Sequence, residues 1–234
     1  MQVKEITDQK QWDDFVGQIL PNTFLESWQW KRVQEEDGEI VTMLGFYNAE
    51  VLQAVALLIL VHAKRGNYYL LPHGPIVKDD ADYKEVISSL VDYVHLSAKG
   101  RTRRVGGRAL ALRIAPLVIQ DSLHDAIFSD LNFRPAPMHV HAELTWVVDI
   151  SKSEDEIIAG MRKTTRHAIK KAEKDGVEVD IISDSSALER FWPLYQQTTS
   201  RHGFVAFTKK LIASQAAIFG DTNMFFAIAK YNGK

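Results

Sequence analysis

The sequence predicts an α/β (α+β) fold laid out as two successive units. Three observations predict it. Helical and alternating apolar patterns succeed one another along the chain. That order restarts after Ile150. And 234 residues with 46% apolar and 25% charged content can close a packed core. The units are expected at 1–150 and 151–234, the second incomplete.

In the first unit, Trp12, Phe15, Val16, Ile19 and Leu20 recur at helical spacing over 9–20, and Pro21-Asn22 ends the run. Residues 27–36 read as a second short helix. Residues 41–47 and 51–62 read as strands joined by the turn Asn48-Ala49-Glu50. A third strand over 68–71 ends at Pro72-His73-Gly74-Pro75. Residues 83–98 form an amphipathic helix with Val86, Ile87, Leu90, Val91, Val94 and His95 on one face. A strand over 110–114, a helix over 123–131 and a strand over 145–150 follow. The second unit reads as a long helix over 154–174, a strand over 177–182, helices over 186–202 and 208–219, and a strand over 224–230. Tyr231-Asn232-Gly233-Lys234 has the composition of a hairpin turn. No returning strand follows, so a truncated product or strands from elsewhere are expected.

The charge balance is nearly neutral, 28 Lys and Arg against 30 Asp and Glu. An anionic partner must therefore be met by a local patch. The absence of Cys excludes disulfides, thiolate catalysis, Cys-ligated zinc and iron–sulfur clusters. The N-terminus is charged and lacks an export-type apolar run. The most apolar stretch, 51–61, is too short to span a bilayer. A cytoplasmic protein is expected, with a peripheral membrane contact left open.

The most unusual segment is basic. Arg162, Arg166, Lys170 and Lys174 repeat every four residues beside an apolar face of Ile158, Met161, Thr165, Ala168, Ile169 and Ala172. Like charges at this spacing cost a few tenths of a kcal/mol each. The stripe is either a solvated face paired with acids from another element or an anion-binding face for phosphate or RNA. Asp121 with Asp125, and Asp79 with Asp80, stand at helix starts and read as caps and dipole partners rather than catalytic pairs. His139 and His141 would share a face of a strand, yet spacing supplies no third metal ligand, so ordinary hydrogen-bonding roles fit better. Neither a Gly-x-Ser-x-Gly elbow nor a Walker loop occurs. Arg104-Val105-Gly106-Gly107-Arg108-Ala109 matches the loose pattern with which acetyltransferases hold a coenzyme A pyrophosphate. It lies between a helix and a strand in the inverted order, so it reads as a basic surface loop with Arg101 and Arg103. Trp28 and Trp30 flank a cluster with Lys31 and Arg32. They could stack a base or hold a sugar nucleotide, or one could cap the core while the other lies at its rim.

Several segments occur in a recognisable order. Glu26-Ser27-Trp28-Gln29-Trp30 looks like a Gln-Ser/Asp-x-x-Trp segment, Gly74-Pro75 like a Gly-Pro turn, and residues 145–150 like a strand leading into a second unit. The run from Met161 to Val179 looks like an Arg/Lys-rich helix followed by a Gly-Val-x-Val strand, and Arg201-His202-Gly203 is a further match. Together they resemble the FemABX family of bacterial peptidyltransferases. The resemblance implies tandem GNAT (acyl-CoA N-acyltransferase-like) units. It implies an amino acid taken from aminoacyl-tRNA and added to an amine of a peptidoglycan precursor, either a nucleotide-linked muropeptide or lipid II, in crossbridge synthesis. It implies no metal, no acyl-enzyme and no cofactor beyond the aminoacyl-tRNA co-substrate. It also implies a site at the inner face of the membrane if lipid II is the acceptor. Carried over by residue, Arg32, with Lys31 as rival and Trp30 beside them, and Arg201 would hold the precursor's phosphates. Arg162, Arg166, Lys170 and Lys174 would face RNA or phosphate, and no catalytic residue is assigned. Ala115 stands where members often carry Asp, and the family's lysine in the C-terminal third has no counterpart. A non-catalytic precursor- or RNA-binding module and an acyl-CoA-dependent N-acetyltransferase remain as alternatives.

Overall fold

A computed structural model describes residues 1–64, 66–78, 83–101, 109–138, 140, 145–184 and 186–233 of the chain. The chain divides into two units, Met1–His141 and Ala142–Lys234. In the first, the charged N-terminus is itself a strand. β1 (Gln2–Glu5) pairs antiparallel with β2 (Ile40–Asn48), Val3 opposite Phe46. Sequence reading misses it because a four-residue edge strand with one apolar side chain leaves no periodicity to detect. β2 turns through Ala49-Glu50 into β3 (Val51–Val61), with Asn48 opposite Val51. The turn is the one expected, and Ala49 takes a positive φ of 52°. β4 (Asn67–His73) and the short β5 (Ile76–Val77) both pair antiparallel with β3, and β6 (Ala109–Pro116) pairs parallel with β4. The sheet order is β1-β2-β3-β4-β6, the mixed α/β layout expected.

β3 shows why both faces are covered. Ala54, Ala56, Leu58 and Leu60 enter one core cluster, while Val55, Leu57 and Ile59 enter another. Side chains alternate along a strand, so a continuously apolar run must be buried on both sides. The first face is closed by α3 (Tyr83–Arg101) through Val86, Leu90 and Val94. His95, placed on that face by the sequence pattern, is instead exposed, because it falls at the edge of the apolar stripe. The second face is closed by Trp12 of α1 (Gln9–Val16), with Trp28 and Trp30 of α2 (Trp28–Asp37) packed at its margin. Gly45 of β2 has no room for a side chain, since a Cβ there would lie 2.8 Å from both Ile6 and Tyr47. α4 (Ser122–Asp130) begins with Asp121 accepting from the His124 amide, so Asp121 is the helix cap its position predicted.

The second unit corrects the sequence reading twice. Residues 145–150 form no strand. Trp146, Val147 and Ile150 are more than four-fifths exposed, and no strand among the described residues pairs with this segment, so its alternating pattern has no sheet face to bury. The long helix expected over 154–174 is two helices. α5 (Glu154–Gly160) opens with a capping box between Ser153 and Glu156. It ends at Met161, which is extended, and α6 (Lys163–Lys174) starts after Arg162. Gly160, the poorest helix former short of proline, stands at the break. Beyond Gly176, at φ 83°, β7 (Val177–Ile182) pairs antiparallel with β8 (Phe226–Tyr231). Between them run α7 (Ser186–His202) and α8 (Lys209–Asn223), the latter capped by Thr208 and interrupted at Gly220. Ala187, Leu188, Ile212, Ala216, Phe226 and Ile228 form the core of this unit. Asn232 and Gly233 both have positive φ, as the expected type of hairpin turn requires.

Candidate functional site

The start of α2 is held from three sides. Ser27 Oγ accepts from the Trp30 amide at 3.1 Å and donates to the Phe24 carbonyl at 2.6 Å. The Trp12 indole donates to the Glu26 carbonyl at 2.7 Å from inside the core. This fixes the direction in which the first turn of α2 presents its cations. Lys31 is spent within the helix: its ammonium lies 2.8 Å from Glu35 and 5.1 Å from the Trp28 ring centroid. Arg32 is exposed and has no ion-pair partner among the described residues. Of the two cations the sequence leaves in competition, Arg32 is therefore the one available to an anion. Trp30 is half-buried, edge-on to Phe24 at 5.5 Å, and its buried indole N–H has no hydrogen-bond partner among the described residues.

Beneath this turn lies a residue that sequence reasoning did not single out. Glu26 is 1% exposed, and its Oε2 finds no hydrogen-bond partner among the described residues. Burial pushes its carboxyl up to about 9, against a weaker opposite pull from a backbone hydrogen bond with Thr23. It is thus a neutral acid at pH 7. The signal was available, because the resembled segment carries Gln here and a protonated Glu is nearly its isostere. The Gly-Pro turn completes the arrangement: a Cβ on Gly74 would lie 3.0 Å from Glu26 Oε1. Next to it Thr23 Oγ1 and His73 Nδ1 are 2.9 Å apart, and burial lowers the His73 pKa.

The first unit also contains a cavity of about 950 Å³ between β6, α4 and residues 133–137. Apolar walls from Ile114, Phe128 and Phe133 carry the polar groups of Arg113, His124 and Arg134. Arg113 is turned aside, donating to the Met138 carbonyl and lying over the Tyr68 ring at 5.6 Å.

In the second unit the basic stripe is remodelled by the break between α5 and α6. Arg162 is the residue before α6 rather than a member of a continuous helix, and Ile158 belongs to α5. Arg166 turns back and donates through Nη1 to the carbonyls of Ala159, at 2.9 Å, and Met161, which ties the end of α5 to α6. Lys171 pairs with Asp175. Arg162, Lys163, Lys170 and Lys174 are exposed with no acidic partner among the described residues. Arg201 sits exposed in the last turn of α7, beside an open groove of about 700 Å³ that it lines with Pro193, Gln196, Gln197 and Ser200. It too has no partner among the described residues.

His139, His141, Asp79, Asp80 and the Arg103–Arg108 stretch lie outside the described residues, as does the side chain of Arg101. Among the described residues, no group of three or more His, Asp or Glu could hold a metal ion, and no helix is long and apolar enough to cross a membrane.

A UDP-N-acetylmuramoylpentapeptide-lysine N(6)-alanyltransferase of Weissella viridescens is 22% identical over 238 residues, covering 96% of this chain and 68% of that protein. The crystal structure of FemX aligns with a TM-score of 0.71 at 21% identity, over 93% of this chain and 55% of that one. The chain thus spans little more than half the length of the FemX structure, whose fold it shares. A probable acetyltransferase aligns over 64% of this chain with a TM-score of 0.41 and 12% identity. The FemAB family model matches residues 7–128 and 136–234, nearly the whole sequence, and the chain belongs to the FemAB family.

Proposed function

We propose that this chain belongs to an aminoacyl-tRNA-dependent transferase that adds an amino acid to an amine of a peptidoglycan precursor, nucleotide-linked or lipid-linked, during crossbridge synthesis. Membership of the FemAB family supports the reading, together with the peptidoglycan-precursor alanyltransferase among its relatives. The observation that carries it is that Arg32 in the first unit and Arg201 in the second, the guanidinium groups of the two resembled segments, are each exposed and have no acidic partner among the described residues. Guanidinium is the group best suited to bidentate recognition of a diphosphate. Lys170 and Lys174 of α6 face the second substrate, the tRNA, through its phosphates.

The chemistry is an acyl transfer. The neutral acceptor amine attacks the ester carbonyl of the aminoacyl-tRNA, and a C–N bond forms. The ester C–O bond then breaks, and the ribose oxygen leaves with a proton equivalent to the one the amine loses. The ester is already activated, so positioning the two substrates and stabilising the oxyanion are the enzyme's main tasks.

The test is titration with a nucleotide-linked muropeptide, followed by transfer of labelled amino acid from aminoacyl-tRNA. Arg32→Ala and Arg201→Ala are each expected to weaken precursor binding by roughly tenfold or more, the loss of a charge-assisted contact. Lys31→Ala should have a smaller effect. Equal binding by the wild type and both Arg variants would remove the basis of the reading. Binding without transfer would make the chain a precursor-holding module.

A further inference from the structure

The cavity between β6, α4 and residues 133–137 has no part in the proposed transfer, and it lies along a strand edge. β6 ends the sheet, pairing with β4 and, among the described residues, with no other strand. Its second edge therefore presents peptide N–H and C=O groups that no described strand pairs. Ala111, Leu112, Arg113 and Ile114 all line the cavity. Side chains alternate across a strand, so a space that meets four consecutive residues runs along the edge rather than over one face. The other walls are α4, through His124 and Phe128, and the run Phe133-Arg134-Pro135-Ala136-Pro137. The two prolines of that run fix their own φ angles, which shapes the groove before any ligand arrives.

One group of the wall is buried and unsatisfied. His124 is 8% exposed, and its Nε2 has no hydrogen-bond partner among the described residues. The other ring nitrogen, Nδ1, lies 2.9 Å from Asp121 Oδ1, which also accepts from the His124 amide at 2.8 Å. The hydrogen bond from that amide, with the ring beside it, holds the Asp121 carboxyl below its usual range, so it is ionised and accepts. Nδ1 therefore carries the proton of the neutral ring, and Nε2 keeps its lone pair for an incoming N–H. A buried acceptor left without a donor is costly, and a ligand that donates removes the cost. The charges of the groove are divided between its walls. Arg134 is exposed and has no partner among the described residues. Arg113 donates to the Met138 carbonyl, which does not neutralise its charge. Asp125, the acid lining the groove, stands in the first turn of α4. A carboxylate is thus favoured at the wall formed by 133–137, away from α4.

We infer that this groove binds a short peptide in extended conformation, its backbone continuing the sheet at β6 and its C-terminal carboxylate held by Arg134. From Ala111 to Pro116 the strand runs about 20 Å, room for about six residues. In such an addition the backbone bonds supply affinity, and the side-chain pockets beside the strand supply selectivity. Phe128 and Phe133 receive an apolar side chain, and His124 Nε2 receives an N–H. An apolar small molecule fills the space between the aromatic walls but satisfies neither the β6 edge nor His124. The groove belongs to the side of the sheet where Leu112 and Ile114 pack with α3, whereas Trp28 and Trp30 of α2 pack on the other side. It is a second site, and it does not require the transferase reading to be correct.

The test is selection from a library of random hexapeptides displayed with free C-termini, followed by fluorescence anisotropy with a labelled copy of the selected peptide. Selected peptides are expected to alternate apolar and polar positions and to bind saturably. Amidation of the C-terminus should weaken binding roughly tenfold, as should Arg134→Ala and His124→Leu. Because Arg134 is exposed, its variant should keep the wild-type circular dichroism and melting temperature, and it carries the test whether or not His124→Leu folds. Hydrogen exchange read by mass spectrometry should slow across 111–116 when the peptide is added. A library that yields no saturable binder overturns the proposal. So does binding unchanged by both amidation and Arg134→Ala, and so does bound peptide that leaves exchange at 111–116 unaltered. Arg32→Ala should bind the peptide as the wild type does, which keeps this test separate from that of the transferase; loss of binding there would overturn the assignment of a second site.

Discussion

Glu26 illustrates how one side chain couples a motif to the stability of a unit. Its folded-state pKa is about 9 against an ordinary value of 4.5. Between these two pH values the folded chain keeps a proton that the unfolded chain has lost. Stability therefore falls as pH rises through that window and levels off above it. Gln in its place does not titrate. We expect Glu26→Gln to melt near the wild type at pH 4.5 and progressively above it as pH rises, by up to about 3 kcal/mol at pH 7. Chemical denaturation at several pH values measures this, and a stability difference independent of pH would refute a protonated Glu26. The sequence shows the Glu for Gln exchange but not its burial, because Leu25 and Glu26 lie in a 3-10 turn, Phe24–Glu26, that has no periodic signature. In the same way the sequence leaves Lys31 as a rival to Arg32. Only Glu35 and the Trp28 ring, one helical turn and three residues away, separate them.

At the scale of elements, legibility follows periodicity. β3, β7 and α7 are read correctly to within a residue because their apolar patterns are unbroken. The α5–α6 break is missed because the apolar positions on either side of Gly160 happen to stay in helical phase. The pattern continues where the backbone does not. The consequence for RNA is specific. Arg166 is occupied by the carbonyls of Ala159 and Met161, whereas Lys170 and Lys174 are not occupied by any described group. Lys170→Ala and Lys174→Ala are each expected to lower the salt dependence of tRNA binding by about one phosphate contact, with little change in melting temperature. Arg166→Ala should instead lower the melting temperature through the α5–α6 junction. Filter binding over a salt series, paired with thermal melts, separates the two. Identical slopes for wild type and both Lys variants would take α6 out of the RNA surface.

At the scale of the whole chain, the two units differ in how they are held. Among the described residues, the first has a mixed sheet buried on both faces, and the second a two-stranded ladder with one cluster of six buried residues. A two-stranded ladder is marginal without helices packed on it. Residues 145–150 carry exposed apolar side chains and, among the described residues, no ladder hydrogen bonds, which makes them the natural point of proteolytic attack. Brief chymotrypsin treatment is expected to cut first at Trp146, with the N-terminal fragment outlasting the C-terminal one. First cleavage inside α3 or β3, read by mass spectrometry, would contradict this. The sequence by itself determined the mixed α/β class, the run of family segments and most helices and strands, because short-range periodicity, turn residues and caps are local properties. Tertiary structure alone decided that the N-terminus is an edge strand, that Glu26 keeps its proton and, among the described residues, that 145–150 join no strand and which cations stay unpaired. Each of these depends on groups distant in sequence meeting or failing to meet, and no local pattern records such encounters.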